Sequence, residues 1–153
     1  MSGSQSGAFL PIAAMMFAAG IGIPVFAAFN SSLGKQLGGP VIATAAAFAV
    51  GLVIALVLVA ATGFPKREAF HFDVPYVWFG AVFILFYGVS VTYAAPRIGL
   101  GNAIFFVLVG QLISAATIDH FGLFGALRSA IDLKRTAGIA LMIAGVYLAR
   151  KTG

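Results

Sequence analysis

Five apolar runs, at residues 8–29, 40–61, 74–94, 100–119 and 136–149, alternate with short polar connections along the chain. An α-helix needs about 20 apolar residues to cross about 30 Å of hydrocarbon. The first four runs reach that length and the fifth is short. The pattern predicts an all-α integral membrane protein, with about five transmembrane helices in a single domain over residues 1–153. Inside such runs the scarce polar positions carry the information, because a polar group in hydrocarbon costs free energy unless another group hydrogen-bonds it. The clearest case is the fourth run, LGNAIFFVLVGQLISAATIDHFG, with Gln111 at its middle and Ser114 and Thr117 following at three-residue steps. We read that stripe as the wall of a pathway, with Asp119-His120 marking the end of the segment.

The other runs differ in character. The first contains Gly20, Gly22 and Pro24; the proline removes a backbone hydrogen bond beside residues of little bulk, which suits either a packing kink or a hinge. Asn30-Ser31-Ser32 is expected to end it, with Asn30 serving as a helix cap or facing the pathway. The second run is rich in alanine and holds Thr44 as its one polar group, so it reads as scaffold. The third is aromatic: Tyr76 and Trp78 suit an interfacial belt, while Phe83, Tyr87 and Ser90 share a deeper helix face at i, i+4 and i+7. A Tyr87 hydroxyl at that depth needs a partner, which Gln111 would supply. Residues 120–135 alternate apolar and charged positions in a way that suits an amphipathic turn or two at the interface. The fifth run is bracketed by Lys134-Arg135 and Arg150-Lys151, whose side chains can snorkel to headgroups, and Gly138 and Gly145 give it a smooth seam for another helix.

Composition agrees with the membrane assignment: 61% of the residues are hydrophobic and 8% charged, against about a quarter charged in a soluble domain. There is no cysteine, which excludes disulfides and Cys-based metal or redox sites. The isoelectric point near 10 arises from nine basic residues in the connections, where they act as topology signals rather than as a nucleic-acid footprint. The leader MSGSQSG lacks Lys and Arg and the run behind it exceeds a signal-peptide core, so that run is read as a membrane helix of a bacterial inner-membrane protein. With five spans, Lys66, Arg67, Arg128, Lys134 and Arg135 fall on the N-terminal side and Lys35, Arg97, Arg150 and Lys151 on the other. That near-balance removes the usual orientation bias and predicts copies inserted both ways, pairing as an antiparallel homodimer.

The segments GIGIPVFAAFNSSLGKQLGGPVIATAAAFAVG (20–51), VGQLISAATIDHFGLFG (109–125) and GIALMIAGVYLARK (138–151) resemble the YdcZ-type family, a half-size branch of the drug/metabolite transporter superfamily. Larger members fuse two five-helix halves of opposite orientation, so the resemblance implies that two copies build a ten-helix inverted-repeat transporter. Two departures stand out: Phe26 occupies a position where many relatives carry Gln, and the membrane-embedded Glu of small multidrug transporters has no counterpart. The carboxylates Glu68, Asp73, Asp119 and Asp132 all lie at segment ends or in loops, leaving Asp119 as the candidate for coupling.

The resulting expectation is a transporter, an exporter of small organic molecules, aromatic or cationic, working by alternating access. Its partners would be the bilayer, the solute and a second copy. Gln111, Ser114, Tyr87 and Asn30 with Asn102 would supply polar contacts, and Phe83, Phe26 and Phe106 aromatic walls. No cofactor or metal is expected. Two alternatives stand beside it: a membrane-embedded enzyme using the loop residues His71, Asp73, Asp119 and His120, and an obligate subunit of a heteromeric transporter.

Overall fold

Two glycines in left-handed backbone set the helix boundaries that matter most here. Gly38 has φ 83° and Gly99 has φ 86°, a conformation that strains any residue with a Cβ. Gly38 follows α1 (Gly3–Leu37), and two residues later Pro40 opens α2 (Pro40–Thr62), a position where its missing N–H is not needed. A short 3-10 turn, Pro75–Phe79, leads into α3 (Gly80–Ile98); Gly99 alone separates that helix from α4 (Leu100–Phe121). A second 3-10 turn, Leu123–Gly125, precedes α5 (Leu133–Ala149). The structure is a computed structural model that describes residues 3–66, 68, 70 and 74–149.

The all-α architecture agrees with the reading of the sequence, and its details correct that reading in three places. The first helix does not end at Asn30-Ser31-Ser32; it continues to Leu37, for 35 residues or about 52 Å at the usual rise. Hydropathy marks the edge of hydrocarbon, and a helix is free to run past it. The third helix likewise continues through Pro96 to Ile98. Of the amphipathic turn or two expected over residues 120–135, the single turn Leu123–Gly125 forms, and residues 126–132 are irregular. Four helical segments are long and apolar enough to cross a membrane: Phe9–Leu37, Pro40–Thr62, Pro75–Ile98 and Leu100–Phe121. α5 has 17 residues, about 25 Å, which is short of the full hydrocarbon thickness.

The chain divides into two compact units, Met1–Arg97 and Ile98–Gly153. In the first, the buried apolar positions are small or β-branched: Ala27 of α1, Ala43 of α2, and Val91 and Ala95 of α3. Lipid is as apolar as any side chain, so helices associate in it through close approach and polar contacts, which small residues permit. Large side chains such as Leu52, Val57 and Val82 lie more than half exposed on the outside. In the second unit α4 packs against α5. The connection between them is pinned by polar contacts: the Ser129 N–H donates to the Asp119 carbonyl at 2.8 Å, and the Ile131 N–H to His120 Nδ1 at 3.0 Å. Asp132 caps α5 by accepting from the Arg135 N–H at 2.7 Å. The Arg135 guanidinium forms an ion pair with Asp119.

Candidate functional site

One polar side chain from each helix of the first unit reaches its interior. Asn30 (α1), Thr44 (α2) and Thr92 (α3) are 2%, 0% and 4% exposed. Asn30 Nδ2 donates to Thr44 Oγ1 at 3.0 Å and to Thr92 Oγ1 at 2.6 Å. Each threonine hydroxyl donates to a carbonyl of its own helix, Thr44 to Pro40 at 2.8 Å and Thr92 to Gly88 at 2.7 Å. That arrangement fixes the amide. With both hydroxyl protons committed, both Oγ1 atoms can only accept, so the NH2 end of Asn30 must face them. Asn30 Oδ1 is left buried with no hydrogen-bond partner among the described residues, at a cost of about 1–3 kcal/mol.

Two glycines let the three helices come this close. A Cβ on Gly34 would lie 2.9 Å from Thr92 Cγ2, and one on Gly88 would lie 2.7 Å from Thr44 Cγ2. Both distances are well inside van der Waals contact, so the knot requires glycine at each position.

Two cavities border the knot. A groove of about 620 Å³ between α1 and α2 is lined by Phe26, Phe29, Asn30, Leu33 and Val50. A cleft of about 530 Å³ at the α1–α2 turn and the end of α3 is lined by Ser31, Lys35, Thr92, Tyr93 and Arg97. Asn30 lines the groove and Thr92 the cleft, so the hydrogen bond between them links one residue of each lining. Phe26 stacks on Tyr87, with ring centroids 6.2 Å apart and planes at 28°. The Tyr87 hydroxyl is buried without a hydrogen-bond partner among the described residues, where the sequence led us to expect one.

The remaining sequence candidates are distributed as follows. Phe83 is exposed on α3, and Gln111 and Ser114 are exposed on α4. Asn102 and Phe106 line a cavity of about 160 Å³ in the second unit, with Phe105, Val109, Ile143 and Tyr147; the Asn102 Nδ2 also donates to the Ile98 carbonyl at 2.9 Å. α1 runs unbroken through Gly20, Gly22 and Pro24, and Gly138 and Gly145 face open space. Asp119 is engaged by Arg135, and the His120 ring accepts from the Ile131 N–H. His71 and Asp73 lie outside the described residues, and among those described no group of three or more His, Cys, Asp or Glu is placed to hold a metal.

Sequence reasoning missed Thr44, Thr92, Gly34 and Gly88. A usable signal was depth. Measured against the apolar runs, Asn30 lies one residue past the end of the first, Thr44 four after the start of the second and Thr92 two before the end of the third, so all three fall within about a turn of run edges that successive membrane crossings put on one side.

A family model described as "Putative inner membrane exporter, YdcZ" matches residues 11–148. The chain belongs to that family. The match takes in the Asn30 knot, both bordering cavities and all but the last residue of α5. With four apolar membrane-spanning helices, this YdcZ-family chain is a multi-pass inner-membrane protein of a transporter family. No curated protein and no solved structure matches it.

Proposed function

We propose that this YdcZ-family protein exports small organic molecules as an antiparallel homodimer of ten helices, opening alternately to the two sides. The observation that carries this reading is the orphaned Asn30 Oδ1 beside an apolar groove walled by Phe26 and Phe29. A flat solute fits aromatic walls, and its N–H or O–H completes the missing hydrogen bond once the helices part. Gln111, Ser114 and Tyr87 supply further polar contacts along the path, with Phe83, Phe106 and Asn102 beside them and Asp119 as the candidate for coupling. Gly20, Gly22 and Pro24 serve as the hinge of α1.

The groove has no carboxylate in its lining, and the neighbouring cleft carries two cations. Neutral or anionic aromatic solutes therefore fit better than the organic cations considered from sequence. A second copy is favoured by the exposed Gln111 and Ser114 on α4 and by the open glycine face of α5, because a polar side chain facing lipid gains from being covered.

Thermal-shift screening of the purified protein against a panel of aromatic metabolites, followed by efflux of the hits from inverted membrane vesicles, tests the transport reading. Phe26→Ala and Gln111→Ala are expected to lower efflux by about tenfold; if both, inserted at normal levels, move the hits like wild type, the reading fails. The absence of native cysteine gives a clean test of the dimer. With Ser129→Cys, a membrane-impermeant maleimide should label about half of the molecules from each side. Labelling from one side alone would leave the heteromeric-subunit alternative in its place.

A further inference from the structure

We propose that the cleft bounded by Ser31, Lys35 and Arg97 is an anion-binding site that takes a carboxylate or a phosphate group. The site rests on its own geometry and stands whether or not the transport reading holds. Lys35 lies in the last turn of α1 and Arg97 in the last turn of α3, and both line the same cavity of about 530 Å³. That volume is within the range of about 300–1,000 Å³ usual for small-molecule sites. Ser31, one turn before Lys35, adds a hydroxyl to the lining, and Tyr93 and Pro96 add apolar wall.

Arg97 is held in place rather than free to splay outward. Its guanidinium lies 3.5 Å from the centroid of the Tyr93 ring, and its Nη1 donates to the Tyr93 carbonyl at 2.6 Å. This uses one of the five guanidinium N–H groups and leaves a planar, pre-oriented edge suited to the paired oxygens of a carboxylate or phosphate. A basic residue acting only as a headgroup anchor has no need of such fixing, nor of a second cation in the same cavity.

Among the described residues of this unit, the two charges also have no counter-charge beside them. No Asp or Glu occurs in α1, α2 or α3. The described carboxylate of this unit, Glu68, lies beyond the far end of the 23-residue α2, which is about 34 Å long and so well past the screening length of about 8 Å. Two like charges sharing a cavity with apolar walls raise the local potential, and an anion entering it is attracted by both.

The anion has two chemical sources, a soluble acid or the phosphate of a lipid headgroup, and the test separates them. The full chain is placed in nanodiscs of phosphatidylcholine, and its thermal unfolding is followed against inorganic phosphate and against benzoate. A second set of discs replaces a third of the lipid with phosphatidylglycerol. The expected result is a saturable upward shift that weakens with sodium chloride and needs at least about tenfold more anion in the K35Q/R97Q double variant. Both positions are exposed, so the variant should fold, and Lys66→Gln, at the other end of α2, serves as a control that keeps the wild-type response. Stabilisation by phosphate or benzoate that persists in the phosphatidylglycerol discs identifies a soluble anion as the occupant. Stabilisation by phosphatidylglycerol that blocks the soluble anions identifies the headgroup. The proposal is overturned if phosphate, benzoate and phosphatidylglycerol all stabilise wild type no more than K35Q/R97Q.

Discussion

The interior of α1–α3 and the outer face of α4 both hold polar side chains in apolar surroundings, and they treat them in opposite ways. Around Asn30 the amide and two hydroxyls, drawn from three helices, satisfy one another and leave a single acceptor over. On α4, Gln111 and Ser114 stay exposed, and Thr117 turns its hydroxyl back to the Ile113 carbonyl at 2.8 Å. The first arrangement holds three helices together and keeps one acceptor in reserve. The second waits for something outside the chain, whether a second copy or a solute. Polarity within a membrane helix therefore does not by itself mark a pathway; what matters is whether the chain already supplies the partner.

The largest expected difference between the regions is steric. Gly88→Val places a side chain where a Cβ alone would sit 2.7 Å from Thr44 Cγ2, and should destabilise the protein by about 3 kcal/mol. Gly110→Val, beside Gln111 and with nothing within 4 Å of its would-be Cβ, should change stability by less than about 0.5 kcal/mol. Unfolding in a denaturing detergent titration measures both, and equal losses would erase the distinction drawn here. A smaller effect comes from deleting polarity at similar volume. Asn30→Leu removes two buried hydrogen bonds and should cost about 1–2 kcal/mol. Gln111→Leu should leave the stability of the single chain within about 0.5 kcal/mol of wild type while lowering cross-linking between copies. If Gln111→Leu proved the more damaging to the isolated chain, α4 and not α1 would hold the structural knot.

Hydropathy made the membrane class and the apolar run of every helix legible, because spanning length is a property of local composition. It did not make legible where α1 and α3 stop, since Leu37 and Ile98 lie beyond the apolar runs that the window detects. The Asn30 knot was hidden for a different reason. Its partners stand 14 and 62 residues away, and no local periodicity encodes a contact over that distance. Thr44 looked like a minor exception within scaffold, Gly34 was read only as part of the family-like segment 20–51, and Gly88 drew no reading, because close approach is visible only once the neighbouring helix is in place. Lys35 and Arg97 were legible as charges beside membrane segments, but not as two sides of one cleft.

The spacing of the knot also has a consequence for biogenesis. A ribosome adding about 5–20 residues per second takes about 3–12 s to make the 62 residues that separate Asn30 from Thr92. During that interval α1 and α2 can already be paired through Thr44, while one Asn30 N–H has no acceptor until α3 arrives. The nascent hairpin thus carries an open valence for several seconds, and completing it tells the chain that its third helix has docked.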